Sequence, residues 1–302
     1  MQPQIQKRLP RFKRAAEIAP IVLTPRDCEI IRLIHRHRFL RSDQLWLLVG
    51  GSRQQMLRRL QLLFHHGYLE RPLAQIHSYH RAGSRHLAYG LGRKGEWLLE
   101  RELGITVDTI EKDLAVGQLF IDHTLMVADV MIAIEQACRK REGVRLLYED
   151  ELSLPVTRLP FQWRVTVKSG EKLGVTPDRV FALEFTGKDG QPDRAYFFLE
   201  ADRGTMPVKR HTLLQTSFFR KLLAYEATWV QDIHQRKLGI DRFRVLTVTK
   251  SPKRVQSIIA ACRELQRGHG LFLFADTGIL SADPLAAVWQ TTVPGRTGEL
   301  IS

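Results

Sequence analysis

Apolar positions in the first hundred residues fall into three helical stripes and two short strand-like runs. In TPRDCEIIRLIHRHR (24–38), Ile30, Ile31 and Ile34 keep helical spacing with Leu33 beside them, Thr24 stands at the N-cap and Pro25 opens the helix. A shorter stripe, Leu45, Trp46, Leu48 and Val49, predicts a helix over 42–49 that starts at Ser42 or Asp43 and breaks at Gly50-Gly51. Ser52 then caps a third helix, SRQQMLRRLQLLFHHG, with Met56, Leu57, Leu60, Leu63 and Phe64 as its core face and Gly67 as its stop. Tyr68–Arg71 and His86–Leu91 read as strands around a polar tip that holds His77, Tyr79, His80, Arg81, Gly83, Ser84 and Arg85. Gly95 precedes a further amphipathic helix.

That element order is the order of a winged helix-turn-helix. The stretch YGLGRKGEWLL (89–99) resembles the Tyr-x-Leu-Thr-x-x-Gly-x-x-Leu-Leu end of the wing in bacterial winged-helix regulators, with Gly92 where the pattern has Thr. In such folds the third helix enters the major groove with its N-terminal residues on base edges. The resemblance nominates Ser52, Arg53, Gln54, Gln55, Arg58 and Arg59 as DNA contacts, Arg and Gln being able to read guanine or adenine bidentately. His80, Arg81 and Arg85 on the wing would lie along phosphates or the minor groove.

Charge agrees with this placement. The first 105 residues carry 19 basic and 8 acidic side chains, so +11 of the net +14 sits there, and the remaining chain is nearly balanced. A lopsided positive field favours duplex phosphates, whose neutralisation releases counterions. The basic start (Lys7, Arg8, Arg11, Lys13, Arg14) reads as a disordered arm over 1–14. The plainer alternative makes Arg58 and Arg59 the solvated face of a helix used for protein contact. Seven of the eleven histidines fall in this half without a metal-ligand spacing, and His65-His66 reads as a helix-end cap.

Beyond residue 110 the pattern changes. A long helix is predicted over 115–141, with Leu119, Phe120, His123, Leu125, Met126, Val127, Val130, Met131 and Ile134 on its apolar side. Strands follow at 144–148, 180–185 and 196–200, the last two joined as an antiparallel hairpin through Gly187–Gly190. A helix over 211–228, a strand over 243–249, a helix over 252–267 and a strand over 271–275 complete an α/β or α+β domain over 115–295, after a winged helix over 15–110. Trp46, Trp229 and Trp289 are expected as core anchors. Cys28, Cys138 and Cys262 are too scattered for a disulfide framework or a zinc site and read as thiols in a reducing cytoplasm. No apolar run reaches the length of a membrane span.

Chemistry concentrates at two strand ends. Pro177-Asp178 begins one hairpin strand and Glu200-Ala201-Asp202 ends the other, so facing positions would bring oxygen ligands for Mg²⁺ together at Asp178 and Glu200. The arrangement resembles the Pro-Asp…(Asp/Glu)-x-Lys pattern of restriction-endonuclease-like nucleases. Asp202 stands where that motif has its lysine; Lys221 or Lys209 could supply the cation from the following segment, and Arg203 is a weaker substitute. The alternative is that Asp178 and Asp202 merely close turns. A nuclease-like fold that does not cleave is the preferred reading.

The whole chain resembles the replication-relaxation family of plasmid and mobile-element proteins. DHTLMVADVMIAIE (122–135), TPDRVFALEF (176–185), FFLEADRGTM (197–206), the helix with Lys221 and Tyr225, and ADPLAAVWQ (282–290) carry the resemblance. It implies an accessory DNA-binding factor in plasmid replication, DNA relaxation or mobilisation, working on double-stranded DNA beside a replication initiator, relaxase or other mobile-element protein, with a homodimer possible and no membrane. Cofactors are then none, or Mg²⁺ if Asp178, Glu200, Asp202 and Lys221 form an active site. A Mg²⁺-dependent nuclease or nickase and a winged-helix transcriptional regulator are the alternatives.

Overall fold

A computed structural model of the protein describes residues 10–76, 86–107, 116–152, 154–155, 161–187, 190–286 and 289–301. The chain is a mixed α/β structure that divides into two units, Met1–Ile132 and Ala133–Ser302.

In the first unit a capping box starts α1 (Pro25–His37): Thr24 Oγ1 accepts from the Asp27 amide at 3.3 Å, and Asp27 accepts from the Thr24 amide at 2.7 Å. Ile30, Ile31 and Ile34 are fully buried, and each such burial contributes roughly 1.5–3 kcal/mol of transfer free energy. There follow β1 (Phe39–Arg41), α2 (Ser42–Val49), α3 (Arg53–His65), β2 (Leu69–Glu70), β3 (Ala88–Leu91), α4 (Arg93–Leu103) and α5 (Gln118–Arg139), in which the division between the units falls. The three strands make an antiparallel sheet ordered β1-β3-β2. β1 was not expected, because three residues are too few to display a period of two.

Gly92 explains its own departure from the wing pattern. A Cβ there would lie 2.4 Å from the Gly67 carbonyl oxygen, and one on Gly95 would lie 2.4 Å from that of Tyr68. The close approach lets the Gly92 amide reach Tyr68 O at 2.9 Å and the Lys94 amide reach Gly67 O at 3.1 Å. Three expected core residues are instead open to solvent: Leu57 is 43% exposed, Trp46 37% and Leu119 67%. Trp229 is also partly exposed, whereas Trp289 is fully buried.

The second unit is built on a seven-stranded sheet. Its strands are β4 (Arg145–Leu147), β7 (Arg179–Thr186), β8 (Pro192–Asp202), β9 (Phe243–Thr249), β10 (Phe272–Asp276), β11 (Trp289–Gln290) and β12 (Thr297–Gly298), in the spatial order β12-β11-β10-β9-β8-β7-β4. β7 and β8 form the expected hairpin, paired from Arg179↔Leu199 to Thr186↔Pro192. β8, β9 and β10 run parallel. α6 (Phe218–Val230), followed by the short α7 (Ile233–Arg236), joins β8 to β9, and α8 (Pro252–Cys262) joins β9 to β10. A separate hairpin, β5 (Trp163–Thr166) with β6 (Lys172–Val175), buries Trp163, Val165, Leu173 and Val175 in the same core as α6. Among the described residues no helix is long and apolar enough to cross a membrane. The three cysteines are unpaired, and burial pushes the Cys138 and Cys262 thiols up to about 12, which makes them poor nucleophiles.

Candidate nucleic-acid interface and carboxylate–lysine site

The turn before α3 is fixed from both sides. Gly50 and Gly51 have φ of 74° and 75°; the Arg26 guanidinium bonds the Gly50 carbonyl, and the Trp46 indole donates to Gly51 O at 2.7 Å. Ser52 Oγ then accepts from the Gln55 amide at 3.4 Å. Ser52, Arg53, Gln54, Gln55 and Arg58 are all exposed along the start of α3.

Arg59 has a different task from its expected DNA contact. Its Nε lies 2.9 Å from Asp27 Oδ1 and its Nη2 3.1 Å from Val22 O, and the Asp27 side chain is completely buried. Burial pushes the Asp27 carboxyl up, but hydrogen bonds from Arg59 and Thr24 and the Arg59 charge hold it below its ordinary value. Arg59 therefore anchors α3 to α1. Arg14, expected in a loose arm, bonds Phe64 O at 3.1 Å and pairs with Glu70. His66 is the C-cap of α3, its amide bonding Leu62 O at 2.9 Å, while the two imidazoles reach the preceding segment. His65 Nδ1 accepts from the Ala15 amide at 3.1 Å, and His66 Nε2 donates to Ala19 O at 2.9 Å. His80, Arg81 and Arg85 lie outside the described residues, as does the sequence before residue 10.

Two polar arrangements escaped the sequence pattern. Arg53 Nη2 is 3.2 Å from His86 Nε2, and His86 Nδ1 is 3.3 Å from Ser42 Oγ. A guanidinium only donates, which assigns Nε2 as the acceptor and puts the His86 proton on Nδ1, toward Ser42. Buried Gln44 accepts from the Arg41 amide at 2.7 Å and donates to Leu125 O at 3.2 Å and Asp129 at 2.6 Å, while Arg41 clasps Asp129 at 2.7 and 3.3 Å. Apart from the local Arg41–Gln44 bond, sequence spacing carries no sign of these contacts, since the partners are 33 to 88 residues apart.

In the second unit the hairpin register sets Asp178 opposite Glu200, as the strand reading expected. The Asp178 amide donates to Leu199 O at 3.0 Å, and its carboxylate accepts from the Ala201 amide at 2.7 Å. Glu200 is buried, and both its oxygens are engaged: Tyr225 donates to one at 2.6 Å and Lys221 to the other. Lys221 and Tyr225 are four apart on α6, one helical turn, so a single face delivers both donors. Tyr225 is held by Phe198, stacked at 5.8 Å, and by Trp163 at 6.4 Å, whose indole donates to Thr228 at 2.8 Å.

Of the two candidate lysines, Lys221 on α6 meets Glu200. Lys209 instead pairs with Glu264. Asp202, two residues on and on the same face of β8, is also buried but has its own partners: Arg254 bonds it at 2.7 and 3.2 Å, Thr249 at 2.9 Å and the Gly204 amide at 3.2 Å. Arg254 has no signal in the sequence, because β9 and the start of α8 must fold before it reaches Asp202.

Burial pushes Glu200 up to about 6; the Lys221 charge opposes this and the Asp178 charge adds to it. Burial pulls Lys221 down, but Glu200 and Asp178 outweigh that and raise it above its ordinary value. Near neutral pH the two therefore form an ion pair in which Glu200 is buried and Lys221 half-buried. Burial and the Glu200 charge also raise Tyr225, which stays a neutral donor. Protein donors engage both Glu200 oxygens, and the Ala201 amide engages Asp178. Among the described residues no group of three or more His, Cys, Asp or Glu could hold a metal.

A family model described as replication-relaxation matches residues 31–242. The chain belongs to the replication-relaxation family. Membership suggests a role in plasmid or mobile-element replication or relaxation. The matched span takes in α3 and the Asp178–Glu200–Lys221–Tyr225 group; Arg254 and the stretch 282–290 lie beyond it. No curated protein and no solved structure matches the chain.

Proposed function

We propose that this replication-relaxation protein is a cytoplasmic DNA-binding accessory factor of plasmid or mobile-element replication, DNA relaxation or mobilisation. Its first unit acts as a winged helix on double-stranded DNA, and its second as a nuclease-like domain that does not cleave. One observation carries the reading. α3 is locked from beneath by Arg59 on Asp27, while Arg53, Gln54, Gln55 and Arg58 are left exposed on its outer side. A rigid helix that presents Arg and Gln in this way suits base edges in a major groove. His80, Arg81 and Arg85 would add wing contacts. A second copy of the chain, a replication initiator or a relaxase is the expected protein partner.

The test is equilibrium binding of the full-length protein to duplex DNA across a salt series. Arg58→Ala should weaken binding and flatten the log–log salt slope by about 0.9 if Arg58 meets one phosphate. Unchanged affinity and slope after loss of both Arg53 and Arg58 would contradict the reading.

A metal-dependent nuclease is the second reading, favoured by Lys221 standing at Glu200 beside Asp178. Incubation of supercoiled plasmid with the protein and Mg²⁺ or Mn²⁺ separates the two. The binding reading expects no nicking. Nicking that disappears in Asp178→Ala, Glu200→Ala and in Lys221→Ala would establish the nuclease.

A further inference from the structure

The second unit is moderately basic, with 26 Lys and Arg against 19 Asp and Glu, and its charge is sorted along the chain. Between Asp202 and Glu226 there are five basic residues and no acid, and between Asp241 and Glu264 six basic residues and no acid. The fold gathers part of both stretches at one edge. β8 and β9 are parallel neighbours with Asp202 opposite Thr249, so the connections that leave them, 203–217 and 250–251, emerge side by side.

Several of these cations already have internal partners. Lys221 is on Glu200, Arg254 on Asp202 and Lys209 on Glu264. Arg210, Lys250 and Lys253 are exposed and form no ion pair among the described residues. Acids lie at the same edge too: Glu149 pairs with Arg179, Asp276 accepts from the Gly278 amide, Glu151 accepts from the Tyr148 amide, and Asp150 is exposed beside it. Open α/β sheets bind ligands outside the carboxyl ends of their parallel strands, which is where these connections lie.

We infer that this edge is a second nucleic-acid surface, on which Arg210, Lys250 and Lys253 contact the phosphate backbone independently of base sequence. The fixed pairs beneath it supply the frame: Arg254 also bonds Met206 O at 2.5 Å, and the Phe218 and Phe219 amides bond Pro207 O at 3.0 Å and Val208 O at 2.9 Å. The connection is thereby a shaped ledge, and its exposed cations are held at the rim. Contacts of this kind carry affinity and salt dependence, and they leave sequence preference to elements that reach base edges. Partner identity follows the DNA reading of the first unit, but the surface itself rests on separate residues.

The full-length protein is titrated with a labelled mixed-sequence duplex across a salt series, as wild type, as Arg210→Gln/Lys250→Gln/Lys253→Gln, and as Arg53→Ala/Arg58→Ala. All five substitutions fall on exposed side chains, and thermal melts confirm that each variant is folded. The first triple variant should lose roughly 2–3 from the salt slope, with its base preference unchanged. The α3 variant should retain a salt-sensitive residual affinity that vanishes when the two sets are combined. An unchanged slope in the triple variant, or no residual binding by the α3 variant at low salt, overturns the second surface while leaving α3 as the DNA contact. Binding that survives the α3 changes in full and is lost with the triple variant would keep this surface and discard the α3 reading.

Discussion

Tyr225 donates its hydroxyl to buried Glu200 over 2.6 Å, one helical turn from Lys221, which engages the other carboxylate oxygen. A carboxylate removed from water needs both oxygens satisfied and its charge answered. α6 does both from one face. The Phe198–Tyr225 stack and the Trp163 indole hold that face in register with β8, which ties the aromatic core to the polar group it surrounds.

Lys221→Ala leaves Glu200 buried beside Asp178 without a counter-charge. Removal of one partner from a fully buried pair costs about 3–5 kcal/mol, and the half-exposed lysine and the remaining Tyr225 bond bring this one down to roughly 2–3 kcal/mol. Chemical denaturation near neutral pH should show a loss of that order, and Lys221→Ala combined with Glu200→Gln should recover part of it. If the single change costs no more than an ordinary surface substitution, the ion pair is not the buried contact described.

The pH response of this site runs opposite to the usual carboxylate. Glu200 sits at about 6 in the folded protein against an ordinary 4.5, so the folded state holds the proton more tightly. Its contribution to stability is fully present below the ordinary value and is lost as pH rises through about 6. The stability of wild type minus that of Glu200→Gln should therefore fall across this window and level off above it. A difference that rises with pH would mean that Lys221, rather than burial, dominates the group.

Lys221 engages a Glu200 oxygen that a divalent ion would have to share or displace it from. Wild-type thermal stability should accordingly be insensitive to millimolar Mg²⁺, whereas Lys221→Ala should gain a metal-dependent rise in Tm by mass action at Asp178 and Glu200. Metal stabilisation of the wild type, absent in the variant, would reverse the assignment.

Adjacent arginines on α3 should behave differently. Arg59→Ala removes the counter-charge of fully buried Asp27. It should cost roughly 2–3 kcal/mol of stability, below the range for a fully buried pair because Thr24 still bonds the carboxylate. Arg58→Ala should weaken DNA binding at unchanged stability.

His86 positions Arg53 by accepting its hydrogen bond. Arg53→Ala and His86→Ala should therefore each lower duplex affinity by less in combination than their separate effects predict, with His86→Gln restoring part of the loss. Additive losses would show that the contact does not orient Arg53 for DNA.

Long periodic segments were legible in the sequence because burial enforces their spacing. The Ile30–Ile34 stripe, the α3 core face apart from Leu57 and the β7–β8 hairpin all follow from it. Short elements such as β1 and the β5–β6 hairpin were not, because their burial depends on a neighbouring element rather than on a repeat of their own. Asp178, Glu200 and Lys221 could be found as strand-end carboxylates and a nearby cation. The split roles of Arg58 and Arg59 could not be read, since only the packed structure reveals Asp27 beneath one of them. Asp202 stands where the nuclease motif has its lysine, and Arg254 answers its charge from a helix that follows β9.

The central claim, that α3 of this replication-relaxation protein reads duplex DNA, is tested most directly by selection from a randomised duplex pool with the full-length protein. Wild type should enrich a defined motif. Arg53→Ala and Gln54→Ala should each erase preference at distinct positions within that motif while leaving the remaining positions intact. No enrichment by the wild type, or an identical motif after both changes, would contradict it.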